Sequence, residues 1–408
     1  MLRYSDNKIN KHWVFLDDNQ SLLLLPSLFA RYTQVMQYRV DIEIRVASDT
    51  KLKEEIFIEK EIGTDISYKI CNHVGRFLEW VEQYEKIEYV GIPSHTALPA
   101  AVINEYINEY LIDECSKSEF VAKQAVNSLN AYYLWLFYFF GNKRKVLGIK
   151  TKFRETARNN SKGDLVVKYL LPQTRELLYR NTDSLLEELV LRNSGELGCR
   201  TKENQGFLLN DYKANNKMQK GLLTLFKMLD SNPNQEEFEY HLSSLYTKYS
   251  RSRTLYIPRY LLEKMKRYYV TERPHSDSNH LLLSNSTNCS SGECISKSFG
   301  SDTFRKTTDK VIEEVNSNPS LYSHMQEITT ENVYHHLRHS FGTDFFYDLC
   351  QGQNKDYESI TTTSAIYLTT AKRLGHKVDS RNANTVTKDY IHSCGQREGL
   401  LKETVKHG

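Results

Sequence analysis

Apolar positions recur at three- and four-residue steps between about residues 65 and 140. Ile70, Val74, Phe77, Leu78 and Val81 form one such series; Val102, Ile103, Tyr106, Ile107, Tyr110 and Leu111 a second; Val121, Ala122, Ala125, Val126, Leu129 and Tyr133 a third. Each predicts an amphipathic helix, and three together predict a compact bundle. Pro93 and Pro99 interrupt the first connection, because proline lacks a donor and restricts its neighbour. Gly141 and Asn142 tolerate the left-handed backbone that caps a helix, so the third helix is expected to end there. Upstream, Val40, Ile42, Ile44 and Val46 alternate with Asp41, Glu43 and Arg45, which predicts a strand with one wet face. Downstream, Leu177 and Leu178 follow Pro172 as the apolar positions of a helix, and Leu185, Leu186, Leu189 and Val190 mark the next. Residues 238–242 and 253–258 read as strands. Ser284 to Gly300 is rich in small polar residues and reads as a loop.

A chain of 408 residues, 39% hydrophobic and 12% aromatic, can bury a substantial core and is expected to form two or three domains. The pattern divides it into residues 1–64, a leading extension; 65–150, a helical module; 151–167, a linker around Asn159-Asn160-Ser161-Lys162-Gly163; and 168–408, the second major domain. For residues 1–64 an accessory DNA-binding arm and a structural extension are equally compatible with the pattern.

The formal charge of +3 does not by itself imply a nucleic-acid partner, so its distribution matters. From His241 to Val270, seven Lys/Arg face one acid, Glu263; from Ala371 to Gly408, eight face four. Such clusters attract polyanions, although a solvated face has the same composition. No secretory pattern opens the chain, and Leu22–Leu25 and Tyr132–Phe140 are too short to cross a bilayer, so a soluble, cytoplasmic protein without a membrane partner is expected. The seven scattered cysteines do not read as a secreted disulfide framework, and Cys289 with Cys294 supplies only half a metal site; no metal is expected.

Candidate chemistry gathers late in the chain. In His335-His336-Leu337-Arg338-His339-Ser340-Phe341-Gly342-Thr343, the three-residue offset of His335 and Arg338 sets both polar ends on one helical face, while Leu337 and Phe341 can anchor the helix elsewhere. In Gly198-Cys199-Arg200-Thr201-Lys202-Glu203, Arg200 and Glu203 are likewise spaced as neighbours; a local ion pair explains that stretch alone equally well. Leu374-Gly375-His376 and Tyr390-Ile391-His392 follow.

Taken in order, these motifs resemble the signature of the tyrosine recombinases, the phage-integrase family of DNA strand-transfer enzymes, over about residues 65–395. The resemblance implies an α+β fold: a predominantly helical catalytic domain with a small β-sheet, preceded by a helical core-type DNA-binding domain. It implies that Arg200 and Arg338 hold the scissile phosphate, with Glu203 orienting Arg200. Tyr390 would be the nucleophile, forming a 3′-phosphotyrosyl bond, with His335 and His376 assisting and His339 and His392 in support. Lys248 resembles the mobile lysine of the family's β-hairpin turn, Lys-Gly-x-Lys-x-Arg, although Tyr249 stands where glycine is usual. The basic residues Arg251, Arg253, Lys372 and Arg373 are expected to contact DNA.

No metal or nucleotide cofactor is implied. The implied partners are duplex recombination sites, three further copies of the chain in a homotetrameric synaptic complex, and an accessory directionality or DNA-bending protein. Integration or excision of a mobile element is the expected use; type IB topoisomerase-like cleavage and a catalytically inactive DNA-binding protein are the alternatives. The long intervals within Asn210–Glu237, Gln351–Thr370 and Lys377–Ala383 read as insertions relative to the family.

Overall fold

The computed structural model describes residues 2–6, 10–46, 53–84, 95–160, 168–214, 216–248, 251–286, 290–376, 378 and 393–401. The chain divides into two compact units, Met1–Leu165 and Val166–Gly408. The fold is α+β and predominantly helical; among the described residues every sheet is a two-stranded antiparallel pair.

The first unit begins with β1 (Leu2–Asp6) paired to β2 (Asn10–Leu16), then α1 (Leu24–Gln34) and a second hairpin, β3 (Tyr38–Val46) with β4 (Lys53–Glu61). Helices α2 (Thr64–Glu82), α3 (Ala100–Glu105) and α4 (Glu119–Phe140) complete the bundle, and α5 (Arg154–Asn159) follows. Ser118 Oγ accepts from the Val121 backbone N–H to start α4, and Gly141, at φ +69°, ends it. Phe15, Phe29, Val40 and Ile62 share one continuous core with Ile70, Phe77, Tyr106 and Trp135. Strands β2 and β3 and helix α1 are therefore walls of the bundle's own core, since two hairpins and one helix bury too little apolar surface to stand apart. In the predicted strand, Val40 packs inward but Ile44 is 61% exposed.

The second predicted helix departs from α geometry. Tyr106–Glu114 is π-helical. Asn108, buried inside it, donates to Asn104 O and Gly148 O and accepts from the Lys150 backbone N–H. This polar side chain, inserted against the segment 148–150, accompanies the wider turn.

The second unit opens with α6 (Pro172–Arg180) and α7 (Leu185–Leu197), followed by a 3₁₀ turn at Thr201–Gly206. The interval read as an insertion holds the short hairpin β5 (Tyr212–Ala214) and β6 (Lys217–Gln219) and then α8 (Leu222–Ser231), whose Leu222, Leu225, Phe226 and Leu229 enter the core. β7 (Glu237–Leu242) pairs with β8 (Arg253–Pro258) in continuous register, leading into α9 (Arg259–Thr271). α10 (Phe299–Ser317), α11 (Tyr334–Gly352) and α12 (Ala365–Arg373) follow, with a last helix at 393–401. The core runs from Leu178 and Leu189 through Tyr240, Ile257 and Met265 to Leu337, where α11 packs on α7. That packing sets the His335–Arg338 turn of α11 against the loop after α7.

Candidate active site

The loop after α7 is shaped by two constraints. Gly198 caps the helix at φ +63°, and a Cβ on it would lie 2.6 Å from the Phe341 ring of α11, so only glycine fits there. Beyond it, Glu203 turns back on the chain. Its Oε2 accepts from the Arg200 backbone N–H at 2.9 Å and its Oε1 from Arg200 Nη1 at 2.8 Å. The predicted Arg200–Glu203 pair is thus present, but it is one part of a larger assembly.

Glu203 is 1% exposed, and two further guanidinium groups reach it. Arg253 Nη2 lies 2.8 Å from Oε2, and Arg338 Nη1 3.8 Å from the same oxygen. Burial alone would raise the Glu203 carboxyl; Arg253, Arg338 and Arg200 overcome it and hold the group down at about 2. Three cations from three separate segments therefore surround one buried anion.

Arg338, fully buried, also donates to the backbone oxygens of Gly198 and Leu374, and its Nη2 lies 3.4 Å from His376 Nε2. The turn after α12 is thereby joined to the loop after α7. Arg200, 25% exposed, is the most open of the three arginines. Burial, and then the Arg338, Arg200 and Arg253 cations, push the half-buried His376 down to about 3. His335 is exposed; the protein on the covered side of its ring, then Arg338 and Arg200, lower it to about 4. Both imidazoles are consequently neutral at physiological pH, and the same surroundings make each a weaker base than a free histidine.

The other histidines of α11 differ in role. His336 Nδ1 accepts from the Val333 backbone N–H at 3.3 Å and stands within the same distance of Asn332 Nδ2, so it caps its own helix. His339 is buried, and burial, followed by His335, lowers it to about 3.

Lys248 is exposed in the β7–β8 connection. Arg251, Arg253, Tyr256, Lys372, Arg373 and His376 are among the residues lining a cleft of about 480 Å³. Arg373 is held there over the Tyr256 ring, 3.9 Å from its centroid, and pairs with Glu237 at 3.2 Å. Lys372 is exposed and Arg251 half-buried.

Arg253, expected as a DNA contact, is directed inward, with a side chain only 4% exposed. The period of the strand explains this. Arg253, Leu255 and Ile257 are buried and alternate with Thr254, Tyr256 and Pro258, so the arginine stands on the dry face of β8. That alternation is visible in the sequence, and it outweighs the habit of reading arginine as surface.

Tyr390 and His392 lie outside the described residues. The helix at 393–401 packs on α11: Cys394 joins Phe346, Cys350 and Ile366 in a small cluster, and Arg397 Nε meets Asp344 at 3.1 Å. Asp344 also accepts from Arg175 and, at 2.6 Å, from the Tyr169 hydroxyl. No motif in the sequence pointed to this second junction.

Chemically, the assembly is an ion cluster with an excess of positive charge, most open to solvent at Arg200. Arg200 and Arg338 are preorganised guanidinium groups with neutral imidazoles beside them, in surroundings dry enough to strengthen a charge-assisted hydrogen bond. Among the described residues no cluster of side chains could hold a metal ion, and no helix is long and apolar enough to cross a membrane.

No protein-family model and no curated protein matches the chain. Among solved structures it is similar to the Tn1549 transposon integrase in complex with transposon right-end DNA, at 12% identity and TM-score 0.46, over 92% of this chain and 98% of that one. It is similar to a lambda integrase dimer bound to a COC′ core site at 13% identity and TM-score 0.38, over 80% of this chain and 96% of that one. For the integrase from mycobacterium phage Brujita the values are 11% and 0.30, over 82% and 87%. The solved structures named here, to which this chain is similar, are integrases.

Proposed function

We propose that this chain is a tyrosine-type site-specific DNA recombinase that cuts and rejoins duplex DNA through a covalent 3′-phosphotyrosyl intermediate. The observation that carries the reading is the convergence of Arg200 and Arg338 on the single buried carboxylate of Glu203, with His376 against Arg338. The ordered motifs that resemble the tyrosine recombinases supply the nucleophile. In the step proposed, the Tyr390 oxygen attacks a backbone phosphorus, the bond from phosphorus to the 5′-oxygen breaks, and Lys248 gives that oxygen a proton. The phenol's proton passes to a neutral imidazole, His335 or His376. Arg200, the more open of the two, meets the nonbridging oxygens, and the buried Arg338 adds its charge from behind as charge builds on them.

The reverse step, with a 5′-hydroxyl from another duplex, rejoins the strands. Integration or excision of a mobile element is the proposed use, on paired recombination sites held by a homotetramer, with an accessory directionality or DNA-bending protein.

The test is covalent trapping. A nicked duplex, selected by the full-length protein from a random-sequence library, loses the fragment beside the nick after cleavage and so cannot be resealed. The native chain should become attached to it, and Tyr390→Phe should bind it without attachment. Attachment that survives Tyr390→Phe, or none with the native chain on any selected duplex, rejects the proposal.

A further inference from the structure

We propose that Arg253 is a positioning residue for strand cleavage, locking the turn that carries Arg200 to the turn that carries His376 and so fixing the width of the phosphate slot. This rests on the strand-transfer reading above. Its Nη1 donates to Arg373 O at 2.6 Å and Leu197 O at 3.4 Å; its Nη2 donates to Gly198 O at 3.0 Å and to Glu203 Oε2. The acceptors belong to both turns, and the residue that donates to them belongs to neither: it starts β8, five positions after Lys248.

Arg338 makes a parallel bridge, from Gly198 O to Leu374 O. One bridge between two turns leaves them free to rock about it; two bridges, side by side and sharing Gly198 O and the Glu203 carboxylate, remove that freedom. The fit is close on the His376 side as well. Gly375 is at φ +66°, and a Cβ there would lie 2.9 Å from Arg253 Cδ, so the left-handed turn leading into His376 lies directly on the arginine's stem. Both Nη atoms of Arg253 are bonded internally, its Nε is buried without an acceptor, and its side chain is only 4% exposed, so it acts on the phosphate through its neighbours. Catalysis is sensitive to such placement, since an error of about 1 Å in a reacting geometry costs about a hundredfold in rate.

The experiment measures single-turnover adduct formation on the selected nicked duplex, at saturating DNA, for the native chain, Arg253→Met and Arg253→Lys. Arg253→Met should lower the rate constant about a hundredfold while DNA affinity and the final amount of adduct are retained. Arg253→Lys keeps the charge but cannot span both turns, and should fall about tenfold. Replacing the bridging 5′-oxygen by sulfur, a leaving group that needs no proton, should not restore either variant. Native rate constants in the variants overturn the proposal. So does a loss confined to adduct amount, which marks a smaller folded fraction, or full rescue by sulfur, which routes the effect through Lys248. Should Arg253→Met not fold, Arg253→Lys decides by the same readings. A native chain that forms no adduct rejects strand transfer itself and this role with it, whereas a native adduct with unimpaired variants rejects only the role of Arg253.

Discussion

Replacing Glu203 by glutamine removes one negative charge from a buried assembly and changes almost nothing else in shape. The magnitude follows from two routes. A carboxyl whose usual value is 4.5 and which the fold holds at about 2 contributes about 3 kcal/mol at neutral pH. Removing one partner of a buried ion pair costs about 3–5 kcal/mol by analogy with measured cases. The sign of the pH dependence is fixed: the folded value is depressed, so the contribution is complete above the unfolded value and is lost as pH falls through the folded one. Glu203→Gln should therefore be about 3 kcal/mol less stable than the native chain at pH 7, and the gap should shrink below about pH 4 to less than half near pH 3. Urea unfolding provides the assay. All three tryptophans, Trp13, Trp80 and Trp135, lie in the first unit, so their fluorescence gives a reference transition while circular dichroism follows the second. No gap at pH 7, or one of equal size at pH 7 and pH 3, would refute the claim that this carboxylate is held ionised by its three arginines.

Two further changes test the surrounding frame. Gly198→Ala combines a left-handed backbone with a Cβ 2.6 Å from the Phe341 ring, and should lower stability by about 2 kcal/mol or more in the same urea experiment; unchanged stability would mean that the loop relaxes freely. Asp344→Ala deprives Arg175, Tyr169 and Arg397 of a shared acceptor. Amide hydrogens at 393–401 should then exchange faster, while those of α4 stay as they are, and unaltered protection at 393–401 would show that the Cys394 cluster alone holds that helix.

Local features of this fold were legible in the sequence because local rules govern them. The strands at 237–242 and 253–258 follow from alternation, and the ends of α4 and α7 from glycines that can adopt positive φ. Long-range polar convergence was not legible. Spacing could pair Arg200 with Glu203, three residues away, but nothing local brings Arg253 and Arg338 to the same oxygen. The π-helical stretch at Tyr106–Glu114 was missed for a related reason: its apolar spacing also fits an α-helix, and the wider turn goes with Asn108 reaching Gly148, forty residues on. Arg253 was different again, since its inward orientation follows from the alternation of buried and open positions along its own strand.

One carboxylate answering three guanidinium groups leaves a surplus of two positive charges at the slot. A resting phosphodiester brings a single negative charge and only partly cancels it. A phosphorus with five oxygens around it, midway through strand transfer, carries two. On the proposed chemistry, the arithmetic of the buried ions matches the fleeting species better than the DNA that enters or leaves, which is the imbalance a catalyst needs.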